Sequence, residues 1–163
     1  MPPLEPETLG RLYRRHAPAL RLFARQWPGG EDLVHDAFVA LARQVHPPER
    51  VLPWLYRVVR NAALTARRAD ARRQRRETAA GVPEAWFRSA DDRIDAQDAA
   101  RLLAELPLHE REVVVARVWG GLTFEEIARL VGCSLPTAHR RYQAGLSELH
   151  RRLSGRWTRN PTT

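Results

Sequence analysis

Two helical patterns joined by a short turn occupy residues 121–143, which read GLTFEEIARLVGCSLPTAHRRYQ. Thr123 and Glu126 have the spacing of a capping box, in which each side chain bonds the backbone amide of the other residue. Gly132 is predicted to end the first helix, because glycine readily adopts the left-handed conformation that closes helices. Ser134 is the predicted cap of the second helix. The stretch therefore predicts a helix-turn-helix, a motif whose second helix enters the DNA major groove.

The second helix of this pair carries polar side chains that can bind DNA. Its inward stripe is predicted at Ala138, Tyr142, Leu146, Leu149 and Leu153. On its outer face Thr137, Arg140 and Gln143 can bond base edges, whereas His139 lies nearer the packed flank and suits a packing or phosphate contact. The predicted DNA-binding set is Ser134, Pro136, Thr137, His139, Arg140, Arg141 and Gln143. A protein-binding helical bundle is the alternative interpretation.

Helical periodicity extends over the rest of the chain, without a run of the alternating type that indicates strands, so the predicted fold is all-α. Before the helix-turn-helix, one helix is predicted from the caps Asp91 and Asp92 to Leu106. A second is predicted over residues 109–119, with core residues that include Val118.

The first part of the chain predicts three more helices. One covers residues 5–27, with Pro18 either kinking it or opening its second half, and Pro28, Gly29 and Gly30 stop it. The others cover about 31–45, with Val45 in the buried stripe, and about 51–76. The predicted organisation is a helical module at 1–76, a linker at 77–90, a helix-turn-helix module at 91–153 and a frayed tail at 154–163.

Charge is distributed unevenly along the 163 residues. The chain has 27 basic and 19 acidic residues, and all the basic residues are arginine. The absence of lysine is explained equally well by a GC-rich genome and by nucleic-acid binding. Residues 57–76 hold eight arginines against Asp70 alone, residues 77–98 hold two against six acids, and residues 99–163 hold ten against six. Two basic segments around an acidic one predict a polyanion held by two modules, with a connector that does not follow the same phosphates.

The helix predicted at residues 51–76 has two different faces. Its apolar face holds Leu52, Leu55, Val59, Ala62, Ala63 and Ala66. The opposite face holds Trp54, Arg57, Asn61 and Arg68, which can stack on unpaired bases, bond a base edge and hold phosphates. In the alternative interpretation Trp54 covers the neighbouring module or the first helix, Asn61 bonds backbone and the arginines form a solvated face.

The helix predicted at about 31–45 is acidic at its start. The helix dipole accounts for Glu31 and Asp32, but Asp36 follows Asp32 by one turn, and like charges at this spacing cost about 0.2–0.5 kcal/mol. An external basic partner would offset that cost. Neutralisation of Asp36 by Arg43, or by an arginine of the next helix, is the alternative.

Several function classes are disfavoured by the sequence. The six histidines and the single Cys133 lack metal-ligand spacing, no glycine-rich phosphate loop is present, and the acidic pairs have helix-capping positions. We therefore expect no catalytic residues, cofactor or metal. The apolar stretches are far shorter than the ~20 residues of a membrane span, and the N-terminus lacks a signal-peptide pattern, so a cytoplasmic protein is expected. A membrane-surface binder is disfavoured because alanine dominates much of the apolar face at 51–76.

Two sets of motifs resemble the extracytoplasmic-function sigma factors of bacterial RNA polymerase. Residues 12–16, 31–38 and 54–63 resemble the family's second conserved region, and Leu106-Pro107, residues 111–114, 121–128 and 132–134 resemble its fourth. The resemblance covers about residues 9 to 153. It implies a subunit that binds core polymerase and directs promoter recognition and DNA melting. The alternative is a stand-alone helix-turn-helix transcriptional regulator with a helical interaction domain.

The resemblance also implies roles for individual surfaces. Glu31, Asp32 and Asp36 would bind the clamp helices of polymerase's largest subunit. The loop at 46–53 and the helix after it would take the melted minus-ten element, with a flipped base, through Trp54, Arg57, Arg60, Asn61 and Arg68. The last helix would read the minus-thirty-five element beside the polymerase flap, and the acidic linker would thread through polymerase. Several such factors have anti-sigma partners, so one is an expectation here.

Overall fold

Helices account for all the regular secondary structure in the described part of the chain, residues 4–76 and 94–157 of a computed structural model, and the all-α prediction is confirmed. The bounds are α1 (Pro6–Ala24), α2 (Gly30–Ala42), α3 (Val51–Arg76), α4 (Ile94–Ala104), α5 (Leu108–Val118), α6 (Phe124–Val131) and α7 (Leu135–Trp157). The chain divides into two compact units, residues 1–89 and 90–163. The linker predicted at 77–90 and the caps Asp91 and Asp92 lie outside the described residues.

The first unit is built from α1, α2 and α3, which all pack against one another. Its core contains Leu20, Phe23, Val34, Leu41, Leu55, Tyr56 and Val59, each fully buried. The Phe23 and Tyr56 rings meet edge to face with centroids 4.9 Å apart, and Tyr13 meets Phe38 at the same distance. The first contact holds one side of α3 against α1 and the second joins α1 to α2, while the other side of α3 stays accessible.

A close backbone approach joins α1 to α2. Gly29 has φ +68°, and a Cβ atom on Gly30 would lie 1.9 Å from the carbonyl oxygen of Ala24. Glycine is therefore required at both positions, at the first for its conformation and at the second for space. An ion pair of 2.5 Å between Arg25 and Glu31 spans the same junction.

Three details of the predicted first unit are wrong. Helix α1 ends at Ala24, before the Pro-Gly-Gly stop, and because it is continuous through Pro18 this residue does not open a second helix. Pro18 is exposed, so water can bond the carbonyl that loses its amide partner there. Helix α2 ends at Ala42, and Val45, predicted to be buried, is 71% exposed because it lies in the loop that follows.

The second unit packs α5 against α7 and α6, with α4 contacting α7. Residues Val113 to Ala116 of α5 are all buried. A Cβ atom on Gly145 of α7 would lie 2.6 Å from Cγ2 of Val114. The two helices can therefore pack this closely only because residue 145 has no side chain. The core predictions for Val118 and Leu153 are wrong: both side chains are about half exposed.

The ends of α4 and α7 also differ from the predictions. Helix α4 ends at Ala104 rather than Leu106, and Arg111 donates hydrogen bonds of 2.7 Å to the carbonyl oxygens of both residues. A basic side chain from α5 thus satisfies the carbonyls at the end of α4. Helix α7 continues to Trp157, so the first part of the tail predicted to be frayed is helical.

Candidate nucleic-acid interface

The turn between α6 and α7 has the predicted local geometry. The Thr123 amide donates to Oε2 of Glu126 at 2.9 Å, and the Glu126 amide donates to Oγ1 of Thr123 at 3.2 Å, so the capping box is confirmed. Gly132 has φ +72° at the end of α6. These local bonds set the direction in which the chain enters α7.

Hydrogen bonds link three side chains at the start of α7. The Ser134 and Thr137 hydroxyl groups lie 2.8 Å apart, and the Thr137 amide donates to Oγ of Ser134 at 3.3 Å. Arg140 donates to Oγ1 of Thr137 at 3.2 Å. Pro136, Arg140 and Gln143 are exposed and Arg141 is partly exposed. The predicted DNA-binding residues thus share an accessible surface that is partly ordered before any ligand binds.

An aromatic cluster supports this surface from beneath. The His139 ring lies 3.9 Å from the Phe124 ring at an interplanar angle of 30°, and Tyr142 meets Phe124 at 5.2 Å. The guanidinium of Arg117 lies 4.8 Å from the Phe124 centroid and donates to the Leu122 carbonyl at 2.8 Å. Sequence reasoning missed Phe124 and Arg117 as members of this cluster.

The later arginines of α7 have intramolecular partners. Arg151 pairs with Glu148 at 2.6 Å, and Arg152 pairs with both Glu148, at 2.5 Å, and Glu105. The pair between Arg152 and Glu105 joins α7 to the turn that follows α4. Their positive charge is therefore locally compensated, whereas Arg140 and Arg141 form no ion pair within the described residues.

The accessible side of α3 holds the five residues predicted to bind the minus-ten element. Arg57, Asn61 and Arg68 are exposed, and Trp54 and Arg60 are half-buried. Within the described residues, the Trp54 indole has no ring or hydrogen-bond partner, and the Asn61 amide has no hydrogen-bond partner. The Asn61 backbone carbonyl accepts a bond from the Thr65 hydroxyl at 2.9 Å. The alternative in which the Asn61 side chain bonds backbone is not observed there.

Tyr56, which lies between Trp54 and Arg57 in α3, has a different environment from both. Its side chain is fully buried, and burial raises the pKa of its hydroxyl above the ordinary value. Tyr56 is absent from the apolar face that the sequence predicts for this helix. The ring contact with Phe23 of α1 accounts for its burial.

The three acids of α2 fall into two groups. Glu31 forms the ion pair with Arg25, whereas Asp32 and Asp36 are exposed and form no ion pair within residues 4–76 and 94–157. Arg43 has no acidic partner in the same residues either. The alternative in which an internal arginine neutralises Asp36 is therefore not observed in the described part of the chain.

Comparison with known proteins decides the family. The model for sigma-70 region 2 matches residues 12–73 and that for sigma-70 region 4 matches residues 96–149. The RNA polymerase sigma factor CarQ of Myxococcus xanthus is 34% identical over 157 residues, covering 87% of each chain. The chain belongs to the extracytoplasmic-function sigma factors. It binds core RNA polymerase and promoter DNA and directs promoter-specific initiation of transcription.

One further curated protein and two solved structures are similar to this chain. The ECF sigma factor EcfG of Rhodopseudomonas palustris is 28% identical to this sigma factor, over 81% of this chain and 77% of EcfG. The fold is similar to that of RpoE from Bartonella quintana, solved with the anti-sigma factor NepR. The TM-score is 0.69 and the identity 22%, and the match covers 91% of this chain and 98% of RpoE. It is also similar to that of CnrH, solved with the cytosolic domain of CnrY. Here the TM-score is 0.59 and the identity 23%, and the match covers 93% of this chain and 90% of CnrH.

Two further observations concern other kinds of site. Among the residues that the structure describes, no group of three or more His, Cys, Asp or Glu side chains is arranged to hold a metal ion. In the same residues, no helix has the length and apolar character needed to cross a bilayer.

Proposed function

We propose that this sigma factor divides its binding tasks among three surfaces. Asp32 and Asp36 of α2 bind core polymerase, the accessible side of α3 holds the melted minus-ten element, and the start of α7 reads the minus-thirty-five element. The main support for this proposal comes from the two exposed aspartates. Although the chain is rich in arginine, neither has an ion-pair partner among the described residues.

The two aspartates are suited to a basic protein partner. They lie one helical turn apart, so their mutual repulsion costs about 0.2–0.5 kcal/mol in the free protein. A basic surface, as expected of the clamp helices of the largest subunit, removes that cost and attracts both carboxylates. Glu31 contributes less to this contact because Arg25 already neutralises it.

The α3 surface is suited to unpaired bases. Trp54 offers a ring that no other aromatic side chain of the described residues covers, and stacking of a base on such a ring contributes about 1–3 kcal/mol. The Asn61 amide can bond the edge of a flipped base, whose extrusion costs a few kcal/mol. Arg57, Arg60 and Arg68 would hold the phosphates on either side.

The α7 surface is suited to duplex DNA. Arg140 can bond guanine directly. Alternatively, its hydrogen bond to Thr137 can orient both side chains so that they contact two neighbouring bases. Arg141, Gln143, Ser134 and Pro136 border that contact, and His139, stacked on Phe124, is placed for a phosphate. The flap of polymerase would hold this module in position.

The same proposal covers the chain as a whole. Residues 1–76 serve core and minus-ten binding, and residues 91–153 serve minus-thirty-five binding. The acidic segment at 77–98, which includes the linker at 77–90, threads through polymerase. This sigma factor catalyses no reaction alone, and it works in the cytoplasm, where polymerase acts. Because two solved relatives are complexes with NepR and with CnrY, we include an anti-sigma partner in the proposal.

Charge reversal tests whether Asp32 and Asp36 bind core polymerase. The double variant D32R/D36R should weaken binding to core polymerase more than tenfold, because close charge pairs across interfaces contribute about 1.5 kcal/mol or more. The matched control is E7R/E49R, which changes the net charge equally at two other exposed acids of the same unit. Fluorescence anisotropy of labelled protein titrated with core enzyme measures both affinities. Equal affinities of the two double variants would overturn the assignment.

A further inference from the structure

His139 is an exposed side chain near the start of α7, and its ring is held by stacking. The centroid of the imidazole lies 3.9 Å from that of Phe124, at an interplanar angle of 30°. Neither ring nitrogen has a hydrogen-bond or ion-pair partner among the described residues. Both nitrogens are therefore available to a ligand, although the plane of the ring is already fixed.

Phe124, the first residue of α6, is itself held by the two other helices of this cluster. The guanidinium of Arg117 in α5 lies 4.8 Å from the Phe124 centroid, and its hydrogen bond to the Leu122 carbonyl fixes it there. Tyr142 of α7 meets the same ring edge to face at 5.2 Å. Because the face of an aromatic ring attracts cations, Phe124 can support a protonated imidazole as well as a guanidinium.

Charges of both signs surround the His139 ring in the free protein. Hydrogen bonds from its own amide and from the Thr123 hydroxyl lower the pKa of Glu125 in α6, and the charges of His139 and Arg129 lower it further. Glu125 is therefore an ionised acid that interacts with His139. The basic groups on the helices that pack here are Arg117 in α5, Arg129 in α6, and Arg140 and Arg141 in α7. The residue after α4, Glu105, pairs with Arg152 of α7, more than three turns further along that helix.

We propose that His139 is a titratable contact to a backbone phosphate of duplex DNA, positioned by Phe124 and Arg117, and that its ring takes up a proton from solvent when the minus-thirty-five element binds. This inference rests on the proposed function of the α7 surface. DNA adds only negative charge around the ring, so binding favours the protonated form. The gain in affinity is therefore complete below the pH at which the free side chain titrates, and it is lost as the pH rises through the titration of the bound one.

A phosphate is the ligand that fits the place of this ring on α7. His139 is held on the side of the helix that faces α6, whereas Thr137 and Arg140, joined by their hydrogen bond, lie on the outer face. The outer face of a recognition helix reaches base edges in the major groove, and its flanks face the phosphate backbones that border the groove. A protonated imidazole can donate a charge-assisted hydrogen bond to a phosphate oxygen there.

The test measures binding of the holoenzyme to a duplex that carries the minus-thirty-five element of a promoter it transcribes and stops short of the minus-ten element. An unrelated duplex of the same length is the second probe. Affinities are measured over a range of salt concentrations at about pH 6 and pH 8, on either side of the ordinary titration of histidine. The variants are H139Q, which has no charge, and H139K, which has a permanent one. H109Q is the matched control, because His109 is an exposed histidine of the same unit in the first turn of α5.

We expect the wild-type and H109Q proteins to bind both duplexes about three- to tenfold more tightly at the lower pH, which corresponds to a pKa rise of about half to one unit on binding. The slope of log affinity against log salt should also be steeper by about 0.9, because one more phosphate is neutralised. H139Q should show neither difference, and H139K should keep the steeper slope at both pH values. Retention of the pH difference by H139Q would overturn the inference, and so would a difference confined to the promoter duplex, which a base contact would give.

The positioning role of Phe124 has its own readout. F124L keeps an apolar side chain but lacks the ring on which His139 stacks, so it should lose affinity mainly at the lower pH and approach H139Q. F124Y keeps the ring and should retain the pH difference, and circular dichroism checks that both variants fold. Equal losses by F124L at the two pH values would overturn the positioning role. Failure of the proposed α7 surface is distinguishable, because R140A/R141A would then leave duplex binding unchanged at both pH values.

Discussion

His16 is a half-buried side chain of α1, next to the exposed Arg15. Burial, reinforced by the charge of Arg15, lowers the pKa of His16 below its ordinary value of 6.5. Protonation therefore favours the unfolded chain, so stability that is present above pH 6.5 is lost as the pH falls through the folded-state pKa. Urea unfolding of H16Q should depend less on pH across this range. An identical pH dependence in the two proteins would contradict the expectation.

Thr123 accepts the bond that caps α6 and belongs to the support of the α7 surface. T123A should lower the local stability of α6 by about 1 kcal/mol, because the N-terminus of this helix loses its capping oxygen. Hydrogen exchange at the Glu126 amide measures this change directly. T123S keeps the hydroxyl and is the matched control; if it loses as much protection as T123A, the hydroxyl bond is not what stabilises α6.

At the scale of elements, the packing of α5 on α7 depends on the absence of a side chain at Gly145. G145A places a Cβ atom 2.6 Å from Cγ2 of the buried Val114, which cannot turn away easily because its side chain is branched at Cβ. We expect G145A to cost about 1–3 kcal/mol in denaturant unfolding.

A second substitution separates crowding from other effects of alanine at this position. V114A alone removes buried methyl groups and should destabilise the unit. Combined with G145A it should give a favourable coupling energy, because the added methyl group then occupies part of the space that Val114 leaves. Simple additivity of the two changes would show that the helices do not meet at this point.

At the scale of the whole molecule, the proposed surfaces act at different steps of initiation. R140A/R141A should weaken closed-complex formation and reduce its salt dependence, because two duplex contacts are lost. W54A and N61A should instead slow DNA opening, since unpaired bases exist only after melting. Mobility shifts at low temperature and permanganate reactivity of promoter thymines separate these two steps. Identical effects of all these variants on the closed complex would contradict the division of labour.

The sequence alone was sufficient for the features that depend on near neighbours in the chain. The capping box of Thr123 and Glu126, the left-handed Gly132 and the bounds of α3 follow from bonds and spacings that span a few residues. The two conserved-region motifs likewise lie in short stretches, and they were enough to predict the family. Hydrophobic spacing also predicted most of the buried residues of α1 and α3.

Tertiary structure decided what depends on neighbours far along the chain. Periodicity placed Val118 and Leu153 inside, but both side chains are about half exposed, whereas Tyr56 is fully buried and Phe23 of another helix packs on its ring. Charge pairing was equally undetermined, since only the fold shows Arg25 beside Glu31 and leaves Asp32 and Asp36 unpaired among the described residues. The physical reason is that helical spacing states which side chains share a face, whereas burial and ion pairing require a second surface at a definite distance.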